Sequence, residues 1–298
     1  MDFKPFLSQQ MLSEAYLVDA LKWFKPLGDA IASHHSGAGR PYYVGVNGAQ
    51  GSGKSTFSAF IAYYLTHYKN KSCVVMSLDD FYLSQSERLA LSVKVHPLLK
   101  TRGVPGTHDV GLIAKTMKRL SEYGTVSIPQ FDKATDNPKP VTEWPIVNTP
   151  VDIIIFEGWC WGINPQTPSQ LSSPINQLEH EQDTLGNWRH FVNQQLASEY
   201  QTVQEMMDYW VMLQAPSFQC VEAWRIEQEH KLKLRHASDS KSDKSASSGI
   251  MTDEQIKAFI MHFQRLTQHC LETLPTKADC LYLLDKQRHI LSARADFL

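Results

Sequence analysis

Gly48, Gly53, Lys54 and Ser55 satisfy the spacing G-x-x-x-x-G-K-[ST], and that spacing names a chemistry. The amides of such a loop cradle phosphates, the lysine reaches the β- and γ-phosphates, and the hydroxyl ligates Mg²⁺. The run Gly48, Ala49, Gln50, Gly51, Ser52, Gly53, Lys54, Ser55 and Thr56 is therefore the expected phosphate cradle. Phosphoryl transfer also needs a cation against the phosphate oxygens and often a carboxylate that accepts the acceptor hydroxyl's proton. Three carboxylates are candidates: Asp79, Asp80 and Glu157. Glu157 leaves an apolar run, residues 151–156, at the end where a metal carboxylate is needed, whereas Asp152 sits at the opposite end. Glu157 is accordingly expected to share Mg²⁺ with Ser55. Asp79 follows a second apolar run and is expected to be the general base. If the strand persists, Asp80 points the other way and makes a structural hydrogen bond.

These side chains need a particular scaffold. Residues 43–46 read as a buried strand and residues 54–62 open a helix, so the order is strand, loop, helix. Phosphates at that helix N-terminus would meet unpaired amides and the positive end of the dipole. Residues 73–77, 151–156, 209–213 and 280–284 read as further strands, the last of them closing the sheet. Asp109 reads as the N-cap of a helix whose apolar face is Val110, Ile113, Met117 and Leu120. Thr252 and Gln255 form a capping-box pattern before Ile256, Phe259, Ile260, Phe263 and Leu266. A leading helix spans 10–33, and His34 and His35 follow it in a Ser/Gly loop, where they are expected to be solvated. Residues 164–187, with three prolines and many Gln and Ser, read as an insertion. Residues 237–249 carry no apolar residue beyond alanine and read as a flexible flap. The expected architecture is α/β: a three-layer P-loop sandwich with a mostly parallel sheet, forming one domain over 1–298 with insertions and a helical lid at 224–249.

Bulk composition narrows the partners. With 29 Lys+Arg against 31 Asp+Glu, the chain has a formal charge of -2, so no basic field argues for nucleic acid or an anionic membrane. Five cysteines stand singly without a C-x-x-C pair, which fits a reducing compartment. The first residues show neither a signal peptide nor a transmembrane span, and the cytoplasm is the expected location.

NGAQGSGKS, SLDDFYL, RGVPGTHD, IPQFDKATDNP, FEGWCWG and WRIEQE, in that order over roughly residues 40–290, resemble the D-glycerate 3-kinase family. That family comprises plant glycerate kinase and fungal and bacterial kinase-like relatives, and it belongs with uridine kinase, phosphoribulokinase and bacterial pantothenate kinase. The resemblance implies an ATP- and Mg²⁺-dependent kinase for a small hydroxylated acceptor, most closely the 3-position of D-glycerate. It implies that Asp79 is the base, that the segment containing Asp132 and Lys133 contacts the acceptor, and that Arg225 of a lid helix closes over the phosphates. The 164–187 insertion resembles the fungal and bacterial branch more than the plant enzyme.

Arg102 and His108 lie in a Gly/Pro loop of one of these motifs. An acidic acceptor could be held there by a guanidinium fork, or Arg102 could brace the loop through Asp109. Trp159 and Trp161 could wall the acceptor pocket or belong to the core. Two other functions remain open on the sequence. One is a kinase for another small alcohol, such as a nucleoside, a sugar or a pantothenate-like acid. The other is an ATP-binding regulatory protein with slow hydrolysis that docks a partner on the insertion.

Overall fold

The computed structural model describes residues 1–239 and 252–297. Two helices, α1 (Lys4–Gln10) and α2 (Glu14–Ala38), precede β1 (Tyr42–Gly48) and α3 (Lys54–Lys69). β2 (Cys73–Ser77) runs into a single 3₁₀ turn (Leu78–Phe81), followed by α4 (Gln85–Lys94) and α5 (Val110–Leu120). Short strands β3 (Gly124–Ser127), β4 (Phe131–Asp132), β5 (Asn137–Pro138) and β6 (Ile146–Thr149) form two small antiparallel pairs beside the main sheet. After β7 (Ile153–Gly158) come α6 (Pro168–Leu171), α7 (Gln177–Gln182), α8 (Asn187–Gln195) and α9 (Gln201–Gln204). The chain ends with β8 (Tyr209–Gln214), α10 (Phe218–Asp239), α11 (Asp253–Thr273), β9 (Cys280–Leu284) and β10 (Ile290–Arg294).

The six-stranded sheet has the order β10-β9-β8-β1-β7-β2. All neighbours pair in parallel except β10, which returns antiparallel on β9. The strand at 280–284 is therefore not the last. β1 and β7 lie between parallel neighbours and are buried at every position, which is why both read as unbroken apolar runs. Because β7 lies on one side of β1 and β8 on the other, the chain reverses its direction of travel next to the P-loop. A crevice opens at such a switch point outside the carboxyl ends of the strands.

Local chemistry sets the helix boundaries that matter for the cleft. Asp109 accepts from Leu112 N–H and starts α5, whose Val110, Ile113, Met117 and Leu120 are buried. Thr252 and Gln255 complete the capping box of α11. The leading segment departs from expectation, because α2 runs from Glu14 through the Ser/Gly tract to Ala38. His34 and His35 thus lie on a helix. Tyr42 hydroxyl meets His34 Nδ1 at 3.3 Å, and His35 Nε2 lies 3.5 Å from Asp152 Oδ1. Tertiary partners override the weak helix propensity of Ser and Gly there.

The 164–187 insertion is folded rather than a plain loop, since it contains α6 and α7. Arg265 of α11 grips it. Its guanidinium donates to both oxygens of Glu179 at 2.7 and 2.6 Å and to the carbonyls of Gln170 and Ser173. No described helix is long and apolar enough to cross a membrane. Of the expected lid at 224–249, residues 240–249 lie outside the described residues.

Glu179 is fully buried and Arg265 nearly so. Glu179→Ala leaves the guanidinium buried without its counter-charge, and equilibrium denaturation should show a loss of about 3–5 kcal/mol.

Candidate active site

A cleft of about 620 Å³ lies at the carboxyl edge of the sheet, lined by the P-loop, the 3₁₀ turn after β2, the end of β7, and side chains from α10 and α11. The P-loop makes a turn that only glycine tolerates at two positions. Gly51 has φ +78°, with Trp224 so close that an added Cβ would meet its Cβ at 2.8 Å, and Gly53 has φ +89° as the N-cap of α3. The loop is also clasped from the far side. Arg288 donates to the Gly51 carbonyl at 2.8 Å, pairs with Glu227 and stacks over the Trp224 ring.

Parallel register brings Val46, Glu157 and Ser77 abreast on β1, β7 and β2. Glu157 is buried. Ser55 Oγ donates to its Oε1 at 2.8 Å, and Lys54 Nζ lies 3.7 Å from its Oε2. Oε2 has no hydrogen-bond partner among the described residues. The carboxylate oxygen without a donor and the neighbouring Ser55 hydroxyl are hard oxygen donors of the kind that divalent cations take.

β2 ends at Ser77, whose hydroxyl accepts from Asp79 N–H at 3.3 Å and caps the 3₁₀ turn. The strand alternation used to separate Asp79 from Asp80 therefore does not apply, and both carboxylates line the cleft. Asp79 receives Lys133 Nζ at 2.7 Å and Tyr82 hydroxyl at 2.8 Å. Burial pushes its pKa up, but the charges of Lys133 and Lys54 and these hydrogen bonds outweigh burial and hold it well below the usual carboxylate range. Asp80 accepts from Phe131 N–H at 3.2 Å. Burial first, then the neighbouring Asp79 charge, raises it to about 6 despite that hydrogen bond.

The remaining sequence-predicted residues divide. Lys133, Arg102 and Arg225 line the cleft. Arg102 pairs with Asp136, not with Asp109, whose carboxylate is already used in capping α5. Arg225 holds Glu229 at 2.9 Å. His108 and Asp132 do not line the cleft. His108 is buried behind Tyr82, its ring stacked on the tyrosine at 4.5 Å, with Nδ1 2.5 Å from Tyr200 hydroxyl. Burial lowers its pKa to about 3, so it is a neutral packing group rather than a contact for an acid. Asp132 turns back to accept from Ala134 N–H and Thr135 Oγ1 in a local turn, the usual habit of a short carboxylate in a loop. Trp159 does both jobs, being buried while lining the cleft, and Trp161 is core.

The sequence model of the phosphoribulokinase/uridine kinase family matches residues 43–163, which carry the P-loop, Asp79 and Glu157. The uncharacterized kinase mug58 of Schizosaccharomyces pombe is 32% identical over 265 residues, 84% of this chain and 90% of that protein. The chain belongs to the phosphoribulokinase/uridine kinase family of P-loop kinases. The chloroplastic D-glycerate 3-kinase of Arabidopsis thaliana is 27% identical over 244 residues, 78% of this kinase and 48% of the plant protein, so the chain spans about half of that relative. The structure of D-glycerate 3-kinase from Cryptococcus neoformans superposes with a TM-score of 0.71 at 24% identity, covering 90% of this kinase and 96% of that chain. That likeness establishes the shared fold.

Sequence reasoning did not single out Tyr82, Phe259, Phe263 or Arg88 for the site. Tyr82 and the pair Phe259 and Phe263 line the cleft. Arg88 is fully buried and donates to the carbonyls of Leu83, Lys100 and Asp136, fastening three loops at one point. Tyr82 stood inside a quoted motif, three residues from Asp79, which was the available signal. Nothing local marked Arg88.

The raised Asp80 has a sign that can be read. It binds its proton more tightly folded than unfolded, so its contribution favours folding below about pH 4 and is lost as pH rises towards 6. The depressed Asp79 acts oppositely, its contribution being lost as pH falls below the ordinary carboxylate range. In thermal melts, the Tm of Asp80→Asn relative to wild type should climb between about pH 4 and pH 7; a constant difference would mean that the Asp80 pKa is the same folded and unfolded.

Proposed function

We propose that this kinase transfers the γ-phosphoryl group of ATP to a hydroxyl of a small carboxylated polyol, with the 3-hydroxyl of D-glycerate as the best fit. The observation that carries the proposal is that Asp79 lines the same cleft as the P-loop lysine and feels the charges of both Lys133 and Lys54. A protein that only switched on nucleotide would need no carboxylate there.

The roles follow from the side chains. The loop amides and the N-terminus of α3 bind the phosphates. Lys54 reaches the transferred group and Arg225 adds positive charge from α10. Mg²⁺, when bound, neutralises phosphate oxygens, and the Ser55 hydroxyl and the unpartnered oxygen of Glu157 are the groups that would hold it. Asp79 is ionised at neutral pH and so can accept a proton. Its low proton affinity suits a loose transition state, in which the hydroxyl is little deprotonated until the bond to phosphorus has formed. Lys133 donates to one oxygen of that carboxylate.

Two features support an acidic acceptor. Arg102 and Lys133, paired with Asp136 and Asp79, line the cleft, and cations of both kinds suit a carboxylate. Trp159, Phe259 and Phe263 line it as well, and their apolar surfaces limit both water and acceptor size. The named activity of the Arabidopsis relative agrees with an acceptor of this class.

A coupled ADP-release assay across D-glycerate, L-glycerate, uridine, pantothenate and hexoses tests the proposal. D-Glycerate should give the highest kcat/KM, and Asp79→Asn should lower kcat by about 10²–10⁴ with little change in KM for ATP. Faster turnover with a nucleoside or a sugar would replace the acceptor assignment. ATP hydrolysis that no acceptor stimulates would overturn the kinase mechanism.

A further inference from the structure

Asp79 and Tyr82 are three residues apart across the 3₁₀ turn that ends β2. A 3₁₀ helix has three residues per turn, so side chains at i and i+3 lie one above the other. The Tyr82 hydroxyl consequently reaches Asp79 Oδ1 at 2.8 Å. Lys133 takes Oδ2 at 2.7 Å, so each carboxylate oxygen has its own donor. An ionised carboxylate only accepts, hence the phenol is the donor in that pair. Burial raises the Tyr82 pKa well above its ordinary value, and the phenol keeps its proton throughout the working range.

The tyrosine is itself fixed from several sides. Its ring stacks on His108 with centroids 4.5 Å apart and meets Phe131 edge-on at 5.3 Å. A backbone bridge joins Tyr82 to His108. Behind it, His108 Nδ1 is held by the Tyr200 hydroxyl, which also accepts from Gly106 N–H at 3.2 Å. Tyr82 is buried, so its rotamer has little freedom. Lys133 is different, with a side chain 59% exposed at the end of a flexible stem. Of the two groups holding the carboxylate, the rigid one is the phenol.

We infer that Tyr82 is a positioning residue of the phosphoryl transfer: its hydroxyl, braced by His108 and Tyr200, fixes the Asp79 carboxylate in the orientation that receives the acceptor's proton. This rests on Asp79 as the base. Tyr82 holds Oδ1, and Lys133, the more exposed partner, holds Oδ2. Asp79 accepts the proton as the oxygen–phosphorus bond forms and the bond to the leaving ADP breaks. Tyr82 gives up no proton.

Tyr82→Phe keeps the ring, its stack on His108 and the buried volume, and deletes one donor. Steady-state kinetics should show kcat reduced about tenfold, the scale of one hydrogen bond to a charged acceptor, with KM for ATP unchanged. In the Asp79→Asn background the same substitution should cost nothing more, because the group it positions is gone. Wild-type kcat in Tyr82→Phe, or the same tenfold loss in both backgrounds, would overturn the inference. An Asp79→Asn single variant with undiminished kcat would instead remove the base, and the positioning role with it.

Discussion

A buried carboxylate at the end of a fully buried parallel strand is the constraint on which the site depends. Glu157 is 3% exposed, and burying such a group is costly unless donors or cations surround it. The fold meets that requirement from one neighbour: β1 lies beside β7, and the P-loop that follows β1 returns Ser55 and Lys54 to the carboxylate. One oxygen is satisfied by the hydroxyl and the other is left without a donor. The electrostatic need of the strand end and the chemical need of the phosphate site thus coincide. Moving β7 away from β1 would abolish both together.

The acceptor half is built by a different device. Its residues come from loops rather than from strand ends, and loops need external bracing to hold geometry. Arg88 supplies much of it, because a fully buried guanidinium must find acceptors and finds them on three separate loops. Asp136 joins Arg88 to Arg102, while Asp80 ties the turn after β2 to β4 through the Phe131 amide. Phe263 packs against Gly103 so closely that an added Cβ would lie 2.4 Å from its ring, and its ring also meets Trp159 edge-on. The arginine loop is thereby fastened to α11.

What the sequence made legible follows the range of the interactions. The P-loop, the buried strands and the caps at Asp109 and Thr252 rest on neighbours a few residues apart, and the structure agrees with them closely. The fates of His108 and Asp132 rest on distant or competing partners. His108 sits in the motif beside Arg102, yet the fold places Tyr82 between it and the cleft. Asp132 has a turn of its own to satisfy. The choice of Asp136 over Asp109 for Arg102 needed knowledge that the nearer carboxylate was already engaged. α2 continued past its expected end because Tyr42 and Asp152 offered partners to its histidines. Alternation could not separate Asp79 from Asp80, which both line the cleft, since the backbone leaves the strand one residue before the carboxylate pair begins.

In the proposed function, Glu157 and Ser55 together hold the metal that accompanies the nucleotide. The most direct measurement is the nucleotide affinity of wild type and Glu157→Gln, titrated with and without Mg²⁺ by calorimetry. Mg²⁺ should strengthen binding to wild type, and most of that gain should vanish in Glu157→Gln while metal-free affinity is retained. A variant that keeps the full gain from Mg²⁺ would contradict the assignment.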